Sequence, residues 1–294
     1  MRLLKAALFP ALLAATVAVA PLAASAFGIG LQPTTVELEL EPGERQRQVI
    51  NIGNVHTEDR IALTLGLADW TLDDNGQIKL APPGEGENSA SEWVRFSPAF
   101  VELEPGETEQ IIVDMAAPMR VEREGDFRFA LIASTIRPES QEGQSGVWKK
   151  YQIASLFYLT MGDATSDPAI VGADLMTRED GLTMIEVDIE NTGSSHARLR
   201  GEATIKGDGV DPVTVPIANL VVLDQARRDY RIPVGSELPA NPRIEITLEN
   251  IFAPQSASGS LQLPAFQSDL SFEEAAITDL PETGDETSVE IAIK

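Results

Sequence analysis

From Gln32 to Met161 the apolar residues recur mostly with period two, and this spacing limits the possible folds more than any other feature of the chain. Val36, Leu38 and Leu40 form one run, Ile61, Leu63, Leu65 and Leu67 another; Ile111, Val113, Met115 and then Phe127, Phe129, Leu131 follow. Successive side chains of a strand point to opposite faces, so each run has one side in a core and one in water, the pattern of antiparallel sheets packed face to face. Turn residues separate the runs. Pro42-Gly43, Asp74-Asn75-Gly76, Pro105-Gly106 and Gly125-Asp126 each supply a residue tolerant of positive φ or a proline with preset φ. Helices with a capped start are missing, although Phe266 to Ile277 has room for one short helix. About seven or eight strands in this stretch favour a β-sandwich over a barrel with an open lumen. Glu39-Leu-Glu-Pro-Gly-Glu44 returns as Glu102-Leu-Glu-Pro-Gly-Glu107. A solenoid would repeat more often, so these read as two equivalent strand-to-strand corners whose glutamates are solvated turn residues rather than ligands.

A polar break at Asp163 to Asp167 opens a second, smaller all-β domain, expected over residues 165–264. Ile185, Val187 and Ile189 alternate there with Glu186, Asp188 and Glu190; Asp208-Gly209 is a hairpin signal; Ile244, Ile246 and Leu248 share one face of another strand. Residues 265–294 form an acidic extension in which Val289, Ile291 and Ile293 could make a last strand.

The first 26 residues read as an export signal. Arg2 and Lys5 flank the apolar stretch Ala6 to Ala20, and Ala24-Ser25-Ala26 precedes a cleavage point before Phe27. Pro10 and Thr16 interrupt a run already shorter than the roughly 20 residues of a membrane span. No later segment is apolar enough to span, so a periplasmic location is expected, with an extracellular one as the other outcome of export. A formal charge of −24 repels nucleic-acid phosphates and anionic lipid headgroups. With no cysteine and two histidines, thiolate nucleophiles, disulfides, sulfur-ligated zinc and three-histidine zinc sites are excluded. His196, after Ser194-Ser195, reads as a surface histidine. Thr71 to Gly76 matches a calcium loop at Asp73, Asn75 and Gly76 but has threonine at its first position and Pro82 where the bidentate glutamate belongs, so it reads as a turn. Trp70 and Trp93 read as core or edge anchors. No carboxylate pair stands out among 46 acidic residues, and no nucleophile elbow or phosphate loop occurs. The expectation is a protein without enzymatic activity, cofactor or metal.

The most informative segment is Tyr151 to Met161. One phase carries Tyr151, Ile153, Phe157, Leu159 and Met161, the other Ala154, Leu156 and Tyr158. A strand with one face in water has no reason to be apolar on both, so one phase fills its own core and the other meets the second domain, a helix or a partner chain. Each such side chain inserted in a partner's groove would contribute on the order of 1.5–3 kcal/mol before ordering costs, with backbone hydrogen bonds from an exposed edge setting register. The hydrophilic run Pro138 to Gly146 just before it is long for a hairpin connection.

The order Val36-Glu-Leu, Pro42-Gly43, Val49-Ile-Asn-Ile-Gly-Asn54, Trp70, Trp93-Val-Arg-Phe-Ser-Pro98, Val101-Glu-Leu-Glu-Pro-Gly106, Gly125-Asp-Phe-Arg-Phe129 and Leu156-Phe-Tyr158 resembles the amino-terminal domain of periplasmic pilus-assembly chaperones of the PapD type. The resemblance implies a PapD-like immunoglobulin-fold sandwich over residues 27–162, followed by a second immunoglobulin-like sandwich. It also implies capture of a secreted or pilin-like subunit by strand donation for assembly of a surface structure, with an outer-membrane usher as a further partner. In that family an arginine and a lysine grip the subunit's carboxyl terminus. Here those positions fall on Leu38 and Ser155, and the nearest basic residues, Arg45, Arg47, Lys149 and Lys150, lie roughly 16 Å or more along an extended strand. The residues expected to bind a partner are Lys149, Lys150, Ile153, Ala154, Leu156 and Tyr158. The alternative is a structural or adhesive exported sandwich that associates with itself or another partner.

Overall fold

A computed structural model describes residues 28–139, 147–178, 181–235, 240–251, 261–262 and 266–269. Ten strands build the first half: β1 (Ile29–Gln32), β2 (Thr35–Leu40), β3 (Arg45–Asn54), β4 (Ile61–Leu72), β5 (Ile78–Ala81), β6 (Val94–Ser97), β7 (Phe100–Leu103), β8 (Thr108–Ala116), β9 (Gly125–Glu139) and β10 (Val147–Met161). They form two sheets. One has the order β1-β3-β8-β6; the other runs β2-β10-β9-β4-β5, with β7 also on β4. These are the A-B-E-D and G-F-C orders of an immunoglobulin-like sandwich. The first strand is shared between the sheets, because β1 pairs antiparallel with β3 and, past Pro33, β2 pairs parallel with Leu156–Met161 of β10. The period-two residues meet in one core that includes Val36, Ile50, Leu63, Ile111, Phe129 and Phe157.

The repeated corners are equivalent in detail. Gly43 and Gly106 have φ of 81° and 77°, a region a side chain would resist. Glu44 accepts the Glu41 amide at 2.9 Å and Glu107 accepts the Glu104 amide at 2.8 Å, so each last glutamate caps its own turn. The Glu41 amide, followed by Gln46, holds the Glu44 carboxyl below its ordinary pKa.

The second half has its own core, from Ala173 to Leu248. Its strands are β11 (Pro168–Thr177), β12 (Thr183–Asn191), β13 (Ala197–Asp208), β14 (Val213–Val222), β15 (Ala226–Gly235), β16 (Ala240–Asn250), β17 (Leu261–Gln262) and β18 (Phe266–Asp269). The sheets run β11-β12-β15 and β14-β13-β16-β17, with β18 also on β16. The fold is therefore all-β, two immunoglobulin-like sandwiches in tandem. Two expectations change. Phe266–Asp269, in the stretch that had room for a short helix, pairs antiparallel with Arg243–Ile246, because β16 offers an edge whose amides need partners. The connection after β9 is shorter than Pro138 to Gly146, since β9 runs through Glu139 and pairs with β10 from Val147. The expected signal at 1–26 and the strand Val289 to Ile293 lie outside the described residues.

Candidate functional site at strand β10 and the domain junction

The two phases of β10 divide as their composition requires. Phe157, Leu159 and Met161 enter the core of the first sandwich, where Phe157 stacks on Phe129 with ring centroids 4.3 Å apart, and Ile153 packs at the core's margin. The other phase joins a second apolar cluster, made of Trp70, Ala130, Ile132 and Tyr158 from the first sandwich and Leu223 from the second, with Ala154 and Leu156 half-buried beside them. The open alternatives for this phase are thereby narrowed: at Tyr158 the covering group is the chain's own second domain. Tyr158 meets Trp70 edge-on at 4.8 Å and lies 4.4 Å from the His196 ring. Burial pushes its hydroxyl up to about 12, the Arg198 cation opposing and the Glu37 carboxylate adding.

Along its length β10 changes company. β9 pairs with all of it, but β2 reaches only Leu156 to Met161. Among the described residues no strand pairs with the same edge from Val147 to Ser155. The Leu156 amide donates to the Thr34 carbonyl at 2.9 Å on that side. Alternate residues of a strand turn their amides the same way, so Ala154, Gln152 and Lys150 direct theirs to the open edge while Ile153 directs its own to β9. Lys149 and Lys150 are exposed. The family's basic positions are structural here. Ser155 is wholly buried with its hydroxyl donating to the Pro33 carbonyl at 2.7 Å, and Leu38 packs against the core. Arg47 lies on the opposite sheet, paired with Asp114 at 2.6 Å.

The junction also holds two buried polar groups. Arg128 of β9 donates to Asp224 of the second domain, both almost fully enclosed, while Asn88 donates to the same carboxylate at 3.0 Å and Arg123 stands 3.8 Å away. Beside them Asp126 Oδ1 accepts the Thr160 hydroxyl at 2.7 Å, and its Oδ2 meets the His196 backbone N–H at 2.7 Å and ring Nδ1 at 2.6 Å. Arg198 closes the group by pairing with Glu37. His196 is thus not a surface histidine; its ring is wholly enclosed, because the turn that carries it is pressed into the first sandwich. The sequence held one signal for this: Asp126 and Arg128 share the phase of Ala130 and Ile132, so that face of β9 is continuous with the apolar cluster and its charges need partners there.

A third contact comes from the tip of the β4–β5 hairpin. Asp73 accepts the Gln77 amide at 2.8 Å and pairs with Lys79 at 3.2 Å, so the calcium-like residues form a turn. The next carbonyl, of Asp74, accepts the Asp229 amide of β15 at 2.7 Å. Gly76, with a φ of 75° that a side chain would resist, lies under the Arg228 guanidinium. A cavity of about 520 Å³ lies between this hairpin and the second domain, lined by Trp70, Leu80, Asn88, Arg123, Arg128 and Asp224. Among the described residues no cluster of three or more His, Cys, Asp or Glu is placed to hold a metal ion, and no helix is long and apolar enough to cross a membrane. The imidazole and hydroxyl near Asp126 are sealed, and the arrangement ties the two domains together.

No family model matches the sequence, and no curated protein matches it. Solved structures do. The chain is similar to the class 5 fimbriae chaperone CfaA, with a TM-score of 0.42 and 12% identity over 80% of this chain and 97% of that one. The CsuC-CsuE chaperone-tip adhesion subunit pre-assembly complex of Acinetobacter baumannii matches with the same TM-score, identity and coverage. The YadV chaperone matches at 0.42 and 9% identity over 82% of this chain and 100% of that one. All three matches are at low identity and span about four fifths of this chain.

Proposed function

We propose that the protein is an exported, chaperone-like binder of another secreted, pilin-like chain, captured by strand pairing along the open edge of β10. The observation that carries this is the edge itself: between Val147 and Ser155 the strand has β9 on one side and no strand on the other among the described residues, and the amides of Lys150, Gln152 and Ala154 face that side. An extended segment laid there gains main-chain hydrogen bonds, while Ile153 and Ala154 offer apolar contacts on alternate faces and Lys149 and Lys150 a basic margin in a chain of charge −24. Leu156 lends its half-buried side chain to the inner end. Tyr158 serves the junction instead. The sequence resemblance to PapD-type chaperones supports the same reading, and with Ser155 and Leu38 in the grip positions, capture rests on the edge rather than on a carboxylate anchor. Such a role needs no catalytic group or cofactor; it implies a periplasmic location after signal removal, and an usher as second partner.

The test is to purify the full chain with a photo-crosslinking residue at Gln152 from cells that export it, and to repeat this in Ala154→Pro. Proline removes one amide from the open edge and none from the β9 ladder. The expected result is a crosslinked secreted chain that Ala154→Pro reduces at least about tenfold, the worth of a hydrogen bond and its displaced ring. Undiminished crosslinking in the proline variant would overturn the reading. If the crosslinked species is a second copy of this chain, the structural, self-associating alternative holds.

A further inference from the structure

One imidazole at the junction of the two sandwiches faces a carboxylate at each of its nitrogens. His196 lies immediately before β13, with Nδ1 2.6 Å from Asp126 Oδ2 and Nε2 3.7 Å from Glu37 Oε1. A neutral imidazole donates from one nitrogen and presents a lone pair at the other, so carboxylates at both nitrogens are met favourably only by the imidazolium. The Thr160 hydroxyl and the His196 amide fix the Asp126 carboxylate toward the ring. The other groups around it are known from every element packed there. β2 supplies Glu37; β13 supplies Arg198, paired with Glu37; β10 supplies Tyr158, uncharged at ordinary pH. β9 supplies Asp126 and Arg128, the latter engaged by Asp224, while Arg123 bonds Asn88 and the Asp126 carbonyl. Of the groups that touch the ring or its carboxylates, Asp126 and Glu37 against Arg198 leave one negative charge. His196 is the titratable group set between those two carboxylates, while Arg123 and Arg128 against Asp224 leave the opposite charge in the neighbouring group.

We propose that the junction carries a proton-operated clamp: protonated His196 ties the second sandwich to Asp126 and Glu37 of the first, and loss of the proton weakens that tie and widens the motion of the sandwiches about the contacts that remain. Burial pulls the imidazole pKa down, but the hydrogen bond to Asp126 and the charges of Asp126 and Glu37 outweigh it and hold it above the ordinary 6.5. Glu37, which burial would raise, is held below its ordinary value by His196 and Arg198, so it stays ionised in the same range. Because the folded-state histidine value is raised, the tie is complete below the unfolded value of about 6.5 and is lost as pH rises through the folded value. Loosening would raise the exposure of Trp70, Tyr158 and Leu223, now packed across the junction.

The absence of cysteine makes the test direct. Spin labels at exposed Glu109→Cys and Asp211→Cys report the distance between sandwiches by pulsed electron resonance, and the two histidines give assignable ring signals by NMR. The expected distribution is narrow at about pH 6 and about twofold broader at about pH 9, its midpoint following the His196 ring titration. His196→Gln should be broad at both. Glu37→Gln, which touches a half-exposed group and spares the fold, should move the midpoint to lower pH. An unchanged width across this range, a ring that titrates at or below 6.5, or an unmoved midpoint in Glu37→Gln would overturn the clamp.

Discussion

The two halves of β10 share an apolar character and differ in what surrounds them. From Leu156 to Met161 the strand lies between β9 and β2, with the first core on one face and the second domain on the other. From Val147 to Ser155 only β9 is paired with it among the described residues, and Lys149 and Lys150 stand exposed. The cause is where β2 begins: the chain stays on β3 as far as Gln32 and joins β10 only from Thr35, past Pro33, so parallel pairing starts at Leu156 and stops short of the residues before it. Apolar composition therefore reports that faces are covered, whereas the state of an edge depends on how far a neighbouring strand from elsewhere in the chain reaches.

That contrast is broken most strongly within the closed half. Phe157→Ala should cost about 4 kcal/mol, since the ring is fully buried and stacked on Phe129, and urea unfolding would read it; a loss below about 1 kcal/mol would mean the closed half is loosely packed. Beneath the same half, Arg128→Ala should cost about 3 kcal/mol by leaving Asp224 enclosed with only the more distant Arg123 as counter-charge. Aspartate at Tyr158 would damage the junction itself, so that position cannot separate partner binding from folding. At the boundary between halves, Ser155→Ala should cost about 1 kcal/mol by orphaning the Pro33 carbonyl. A cost indistinguishable from zero there would mean that water reaches the strand switch.

Much of this architecture was legible. Alternation at Ile111, Val113 and Met115 or at Ile185, Val187 and Ile189 states which side is inside, and glycine-containing turns state where strands end. The two phases of Tyr151 to Met161 announced two covered faces. What covers the second face was not legible, because Leu223, His196 and Asp224 approach it from residues far along the chain and only the fold brings them together. For the same reason His196, on a serine-rich turn, carried no local sign of burial. The open edge was equally hidden: Lys149, Lys150 and Gln152 make β10 more polar before Leu156, but side-chain polarity reports on the faces of a strand and not on whether its edge is paired. The chemistry of the family's basic grip could be read as missing at Leu38 and Ser155, but Ser155's bond to the Pro33 carbonyl, which uses the position structurally, appears only when β1 and β2 are seen to switch sheets there.

The finest test of the contrast compares neighbouring prolines. Ile153 turns its amide to β9, so Ile153→Pro removes a ladder hydrogen bond and should destabilise the first sandwich by about 3 kcal/mol. Ala154 turns its amide to the open edge, so Ala154→Pro should change unfolding by about 0.5 kcal/mol or less while it weakens capture. Both variants place the same ring in the same strand, one residue apart; they differ in which side loses a donor and in that Ile153→Pro also removes a side chain from the core's margin, which Ile153→Ala measures separately. Equal destabilisation by the two, measured in the same urea titration, would mean that the edge between Val147 and Ser155 is already paired in the free protein, and the account of β10 as a strand with one side in reserve would fail with it.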